Sequence, residues 1–138
     1  MIILDTNLIS ELVRKAPDLG VVSWLDSLDA SDIALTAVTA AELLYGVARL
    51  PDGRRRRELR AKVDGLLTEE FGDRILPFDA LAATHYADIV AGRERGGLQI
   101  SMADGQIAAI CRAWNAGLAT RNVGDFVDTG VELINPWD

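Results

Sequence analysis

A chain of 138 residues, 49% of them hydrophobic, has the length of one domain and enough apolar material for a core that needs no staples. Its single cysteine, Cys111, excludes an intramolecular disulfide and fits a reducing compartment, and no apolar run approaches the ~20 residues of a membrane span. A formal charge of −7 excludes a protein that coats nucleic acid through its overall field, so nucleic acid would have to be held locally, in part by a cation bound among acidic side chains.

In chain order, Ile2 to Leu4 predicts a short buried strand and Leu8 to Val13 a first helix, broken by Pro17. Leu19, Val22, Trp24, Leu25 and Leu28 share one face of a second helix. Ile33 to Thr36 is strand-like, and Thr39 to Leu50 is helical up to the turn Pro51-Asp52-Gly53. Arg54 to Phe71 predicts a long polar helix ended by Gly72, and Ile75-Leu76 a brief strand. Asp79 to Arg95 is helical and stops at Gly96-Gly97, and Ser101 to Asn115 is the last helix, with Gly117 as its stop. Leu118 to Thr120 and Val131 to Ile134 complete the strands. Short apolar strands alternating with long helices predict an α/β fold with a mainly parallel sheet between helical layers, and nothing marks a linker or repeat within 1–138. The N-terminus lacks the order of a signal peptide, so a soluble cytoplasmic protein is expected.

Ligands of open parallel sheets collect beyond the carboxyl ends of the strands. Four acids fall there: Asp5 after the first strand, Glu42 after the second, Asp104 at the start of the last helix, and Asp125 after the fourth strand. Each has an ordinary explanation. Thr39-x-x-Glu42 and Ser101-x-x-Asp104 match the helix capping box, Asp5 or Thr6 fits a helix cap, and Asp125 fits a loop. The two roles are compatible, because a helix N-terminus favours an ionised carboxylate. Glu42 and Asp104 stand in apolar surroundings, TAVTAAELLYG and ISMADGQIAAI, where clustered carboxylates repel one another. A divalent cation removes that difficulty, and magnesium or manganese suits oxygen ligands. Such a centre points to metal-dependent phosphodiester hydrolysis.

The stretches LDTNLISEL, TAVTAAELLYGVARLP, ILPFD, ISMADGQIAAI, LATRNVGDF and INPW, in this order and over nearly the whole chain, resemble the PIN-domain ribonucleases. Within them the resemblance is to the VapC-type toxins of toxin–antitoxin pairs, in their FitB-like branch. It implies a three-layer α/β/α sandwich, one PIN domain over 1–138, and a Mg²⁺- or Mn²⁺-dependent endoribonuclease acting on RNA such as tRNA or rRNA. It also implies a VapB-like antitoxin, through which operator DNA would be reached, and a homodimer is expected. Asp5, Glu42 and Asp104 match the acidic metal-site positions. Thr6 and Thr120 match supporting hydroxyls, and Asn7 a neighbouring polar position. The family often carries another acid directly after the position of Arg121; here it is neutral Asn122, so the fourth charge is assigned to Asp125 with Asn122 as helper.

Arg121, beside the proposed site, is a candidate phosphate contact. Arg54 to Arg57 either solvate a helix start or meet phosphate or a partner, although cations there oppose the helix dipole. His85, the only histidine, is expected to have a surface or packing role, Cys111 to be a small buried residue, and Trp24, Tyr45 and Trp114 to anchor core or interface. A phosphoacceptor signalling domain also has an acidic magnesium site, but it needs a late lysine and this chain has none after Lys62. A second reading is a catalytically weak partner protein acting through a DNA-binding antitoxin, which neutral Asn122 keeps open.

Overall fold

The computed structural model describes all residues from Met1 to Asp138. Five strands form the sheet: β1 (Ile2–Leu4), β2 (Ile33–Thr36), β3 (Ile75–Leu76), β4 (Gly117–Ala119) and β5 (Leu133–Ile134). Their spatial order is β3-β2-β1-β4-β5, and every pairing is parallel. Six helices surround it: α1 (Thr6–Leu12), α2 (Leu19–Asp26), α3 (Ala37–Ala48), α4 (Arg54–Gly65), α5 (Ala80–Arg95) and α6 (Met102–Ala113).

Alternation along the strands builds two cores. Ile3, Ala34, Leu76 and Leu118 point to one face, where they meet Ala82 and Ile89 of α5 and Ile107 to Cys111 of α6. Leu4, Leu35 and Ala119 point to the other, against Leu8 and Ile9 of α1, Val21 of α2, Leu43 and Val47 of α3 and Val63 of α4. Helices therefore cover both faces, which is the predicted three-layer sandwich. No helix is long and apolar enough to cross a membrane.

Several boundaries differ from the sequence expectation, each for a local reason. α3 begins at Ala37 because the Thr36 hydroxyl accepts the N–H of Thr39 at 3.0 Å; Thr36, not Thr39, is its cap. Glu42 consequently lies in the second turn and is not a capping-box residue. The long polar helix is regular to Gly65 and then widens over Leu66–Glu70 to i→i−5 bonding, with Phe71 N–H donating to Leu66 C=O. Gly117 does not stop α6; it opens β4, and the left-handed residue after the helix is Asn115, with φ 51°. Val131 and Glu132 precede β5 and do not belong to it.

Cys111 is fully buried, and burial pushes its thiol pKa up. Trp24 packs on the second core, but Tyr45 and Trp114 are 66% and 49% exposed and anchor no core. His85 is half-buried on α5, and its Nδ1 has no hydrogen-bond partner.

Candidate active site at the sheet switch point

The strand order reverses between β1 and β4. The chain winds outward through β2 and β3 on one side of β1 and through β4 and β5 on the other. Such a reversal opens a crevice beyond the strand ends, where ligands of doubly wound sheets sit. Asp5 and Thr120 are the residues that leave β1 and β4 at this point.

Asp5 is 3% exposed and caps α1, with Oδ1 accepting the Thr6 N–H at 2.8 Å. Its own N–H donates to Ala119 C=O at 2.9 Å, tying the end of β1 to β4. Oδ2 accepts the fully buried Thr120 hydroxyl at 2.8 Å and the Asn7 amide at 3.5 Å. Thr120 Oγ1 in turn accepts the backbone N–H of Asn122 at 3.0 Å. The capping and site roles of Asp5 therefore coexist in one side chain, which keeps lone pairs in reserve.

Glu42 is reached from α1. The Thr6 hydroxyl donates to Glu42 Oε1 at 2.6 Å and lies 3.0 Å from Thr39 Oγ1. A hydroxyl has one proton, so with Thr6 giving its own to the carboxylate, Thr39 donates to Thr6. The sequence marks Thr39 as the helix cap; Thr36 takes that role, which leaves the Thr39 hydroxyl free to face Thr6 and the acids.

Asp104 follows Ser101, whose Oγ accepts the Asp104 N–H at 3.1 Å and caps α6. The Ser101 half of the expected capping box is therefore present, and the Asp104 carboxylate makes no return bond to the Ser101 N–H. The next residue, Gly105, lies where a Cβ would come within 2.9 Å of the Tyr86 ring, so its bare backbone lets the start of α6 lie close on α5. Asp125 sits exposed in the short turn Val123–Phe126, behind which Phe126 is buried as the loop's anchor.

Asp104 and Asp5 both feel neighbouring carboxylates. Burial pushes the Asp104 pKa up to about 6, with Asp5 the next largest cause, Asp125 and Glu42 adding less, and the Ser101 hydroxyl working against them. Burial also raises Asp5, and Glu42 adds to it, while the Thr120, Thr6 and Asn7 donors pull it back. No three acids close into a cage around a common point. Two carboxylates desolvated by burial, Asp5 and Asp104, with exposed Glu42 and Asp125 near them, are a donor set that fits Mg²⁺ or Mn²⁺, since magnesium takes one or two carboxylates and keeps several waters. Asp5, Asp104, Glu42 and Asp125 are the residues that would hold it.

Beside the acids lies a cleft of about 490 Å³ bordered by Asn7, Arg14, Arg121, Asn122 and Trp137. The Arg121 guanidinium is stacked over the Trp137 ring, 5.2 Å from its centroid. Asn122 joins the site through its backbone, its exposed side chain bordering the cleft. A further residue that sequence reasoning passed over is Arg93, 4% exposed. Its Nη1 donates to Val127 C=O at 2.6 Å and its Nη2 to Gln99 C=O at 2.7 Å. It thus pins the segment that ends in Asp104 to the loop that carries Asp125. In ADIVAGRERGG only its helical register, four residues after Ile89, sets it apart from the exposed Arg95.

The PIN domain family model matches residues 2–131. The "VapC ribonuclease Y4jK" of Sinorhizobium fredii is 41% identical, over 100% of this chain and 99% of its own length. The "Toxin FitB" of Neisseria gonorrhoeae is 43% identical, over 99% of both chains. A solved structure of FitAB bound to an IR36 DNA fragment superposes with a TM-score of 0.94 at 42% identity, covering 100% of this chain and 96% of that one. Family model, identity over full length and superposed fold agree: the chain belongs to the PIN domain family, in the VapC-type, FitB-like branch.

Proposed function

We propose that this protein is a metal-dependent endoribonuclease and the toxin of a toxin–antitoxin pair. The observation that supports the reading is the approach of Asp5, Glu42, Asp104 and Asp125, from four distant segments, to the switch point of the sheet, where burial first and neighbouring carboxylates second raise the pKa of Asp5 and Asp104. Asp5, Glu42 and Asp104 would hold Mg²⁺ or Mn²⁺, and Asp125 would add the fourth charge. A divalent ion supplies charge stabilisation on a phosphate and a water acidic enough to act as nucleophile. The protein's own share is orientation. Thr120 and Asn7 fix Asp5 Oδ2, Thr6 fixes Glu42 with Thr39 behind it, and Arg121 offers a guanidinium to a phosphate at the rim of the cleft.

The relatives named a ribonuclease and a toxin support the activity and its setting. The FitAB–DNA structure supports an antitoxin-like partner through which operator DNA is met. An arginine or lysine of that partner would suit the acidic pocket, because a charge-assisted contact there is strong. We place the protein in the cytoplasm as a homodimer, with tRNA or rRNA as substrate class. Incubation of the purified, partner-free protein with total cellular RNA, with and without Mg²⁺ or Mn²⁺, tests this. Mapped internal cleavage ends that vanish with chelator are expected; intact RNA under all metal conditions would return the chain to the catalytically weak reading.

A further inference from the structure

The two lysines of the chain, Lys15 and Lys62, lie 47 positions apart yet line one cavity of about 1070 Å³, between the end of α1 and the first turns of α4. Arg14, Arg54 and Arg55 line it too, against a single acid, Glu58. In a protein of net charge −7 this is a concentration of positive charge opposite to the whole. It is also placed at a local cost. Arg54 to Arg57 occupy the first turn of α4, where cations oppose the helix dipole, and Gly53 supplies no side-chain cap to offset them. A solvated helix face needs no such arrangement. Arg14 is paired with Glu11 at 3.0 Å and Arg54 with Glu58 at 2.9 Å, the latter an exposed pair that yields readily to a better anion. Lys15, Arg55 and Lys62 are exposed and have no acidic partner.

The cavity is not isolated from the acids. Arg14 borders both it and the smaller cleft that contains Asn7, Arg121, Asn122 and Trp137. From the carboxylates outward the surface therefore presents the half-buried Trp137 ring with the Arg121 guanidinium on it, then Arg14 paired with Glu11, then the cluster of Lys15, Arg54, Arg55 and Lys62. Successive phosphates along a basic groove with a stacking ring at one end is the pattern that holds a single nucleic-acid strand. We propose that the cavity between α1 and α4 is a subsite for phosphates of the RNA strand remote from the cleaved bond, reached along the Trp137–Arg121 cleft and past Arg14. This rests on the ribonuclease reading and names where the substrate is gripped. Gripping by exposed cations also reconciles RNA binding with an acidic protein, because the attraction is confined to one track. An acidic segment of a partner protein is the competing occupant, but it would have no use for continuity with the stacked ring and the catalytic acids.

The test is a triple variant, Lys15→Gln, Arg55→Gln and Lys62→Gln, whose exposed positions leave the cores untouched. Binding of a long single-stranded RNA is measured over a range of salt in an Asp104→Asn background, so that nothing is cut. Each lost phosphate contact lowers the salt slope by ~0.7, so a reduction of about 2 is expected, with affinity down about tenfold or more at low salt. Cleavage of an oligonucleotide too short to leave the catalytic cleft should be unchanged in the triple variant with Asp104 intact. Unaltered RNA affinity and salt slope would overturn the subsite while leaving the ribonuclease reading in place. Unaltered RNA binding together with weakened binding of the co-expressed antitoxin would assign the cavity to the partner instead. If the parent protein neither binds RNA nor cleaves the short oligonucleotide, the ribonuclease reading itself fails, and the subsite with it.

Discussion

The Thr120 hydroxyl donates to Asp5 Oδ2 at 2.8 Å, joining residues 115 positions apart at the point where the sheet reverses its winding. Both groups are buried, so the bond sets the orientation of a carboxylate that has little water to turn in. Thr120→Val keeps the shape and removes the donor. It also strips the acceptor from the Asn122 N–H. A hydrogen bond to a charged group contributes ~1.5–3 kcal/mol, and an outer partner of a metal ligand commonly governs affinity about ten- to a hundredfold. We expect Thr120→Val to raise the Mg²⁺ concentration for half-maximal cleavage by about that factor, with Thr120→Ser close to the parent. A Mg²⁺ titration of cleavage rate, beside a melting curve, checks it.

Glu42 separates cap from ligand. Thr36 caps α3, so Thr36→Ala should cost about 1 kcal/mol of stability. Glu42→Gln keeps an oxygen for the Thr6 hydroxyl and should leave the melting temperature nearly unchanged while removing most cleavage. Parent-level cleavage by Glu42→Gln would remove Glu42 from the metal site.

Asp104 makes the metal-free fold sensitive to pH. Its pKa in the fold is about 6, above the ordinary 3.8, and Asp5 is raised in the same direction. A raised carboxyl pKa means that folding favours the protonated form. That contribution is full below the unfolded value and is lost as pH rises through about 6. The metal-free protein should therefore melt higher near pH 5 than near pH 8. Asp104→Asn should melt higher than the parent at pH 8 and lose much of the difference between the two pH values. Differential scanning calorimetry with chelator present reads both. A parent that is less stable at pH 5 than at pH 8, with Asp104→Asn unchanged, would contradict the electrostatic account.

Asp125 and Asn122 compete for the fourth position. Asp125 raises the Asp104 pKa from an exposed turn, whereas Asn122 contributes its backbone N–H to Thr120. Asp125→Asn should reduce cleavage less than Asp5→Asn and increase the Mg²⁺ demand. Asn122→Ala should change either little, since the backbone bond remains. The reverse ranking would transfer the role to Asn122.

The sequence revealed the acids at strand ends and the alternation of strands and helices, because both follow from periodicity and local caps. Asp5 as the cap of α1 and Ser101 as the cap of α6 were readable for that reason. Thr39 was misread because a threonine one turn earlier, Thr36, supplies the same hydroxyl to the helix start. The widened turn at Leu66–Glu70 leaves no mark in an apolar period that stays helical on either side. The bonds of Arg93 were illegible for a deeper reason. Its two acceptors, Gln99 and Val127, are backbone carbonyls, and a carbonyl carries no residue identity to search for. The reversal of strand order, which brings Asp5 beside Thr120, is likewise a property of the assembled sheet.

The central claim is that the carboxylates at the switch point hold a divalent ion that serves RNA hydrolysis. The measurement that bears on it most directly is the cleavage rate of a defined RNA as Mg²⁺ is titrated, for the parent, Asp5→Asn and Asp104→Asn, all confirmed as folded. The account predicts no parent cleavage without metal, a saturable rise as Mg²⁺ is added, and a loss of at least about a hundredfold in either variant at saturating Mg²⁺, on the scale of removing a group that stabilises the transition state. Cleavage that persists in chelator, or that survives the two substitutions combined, would contradict it.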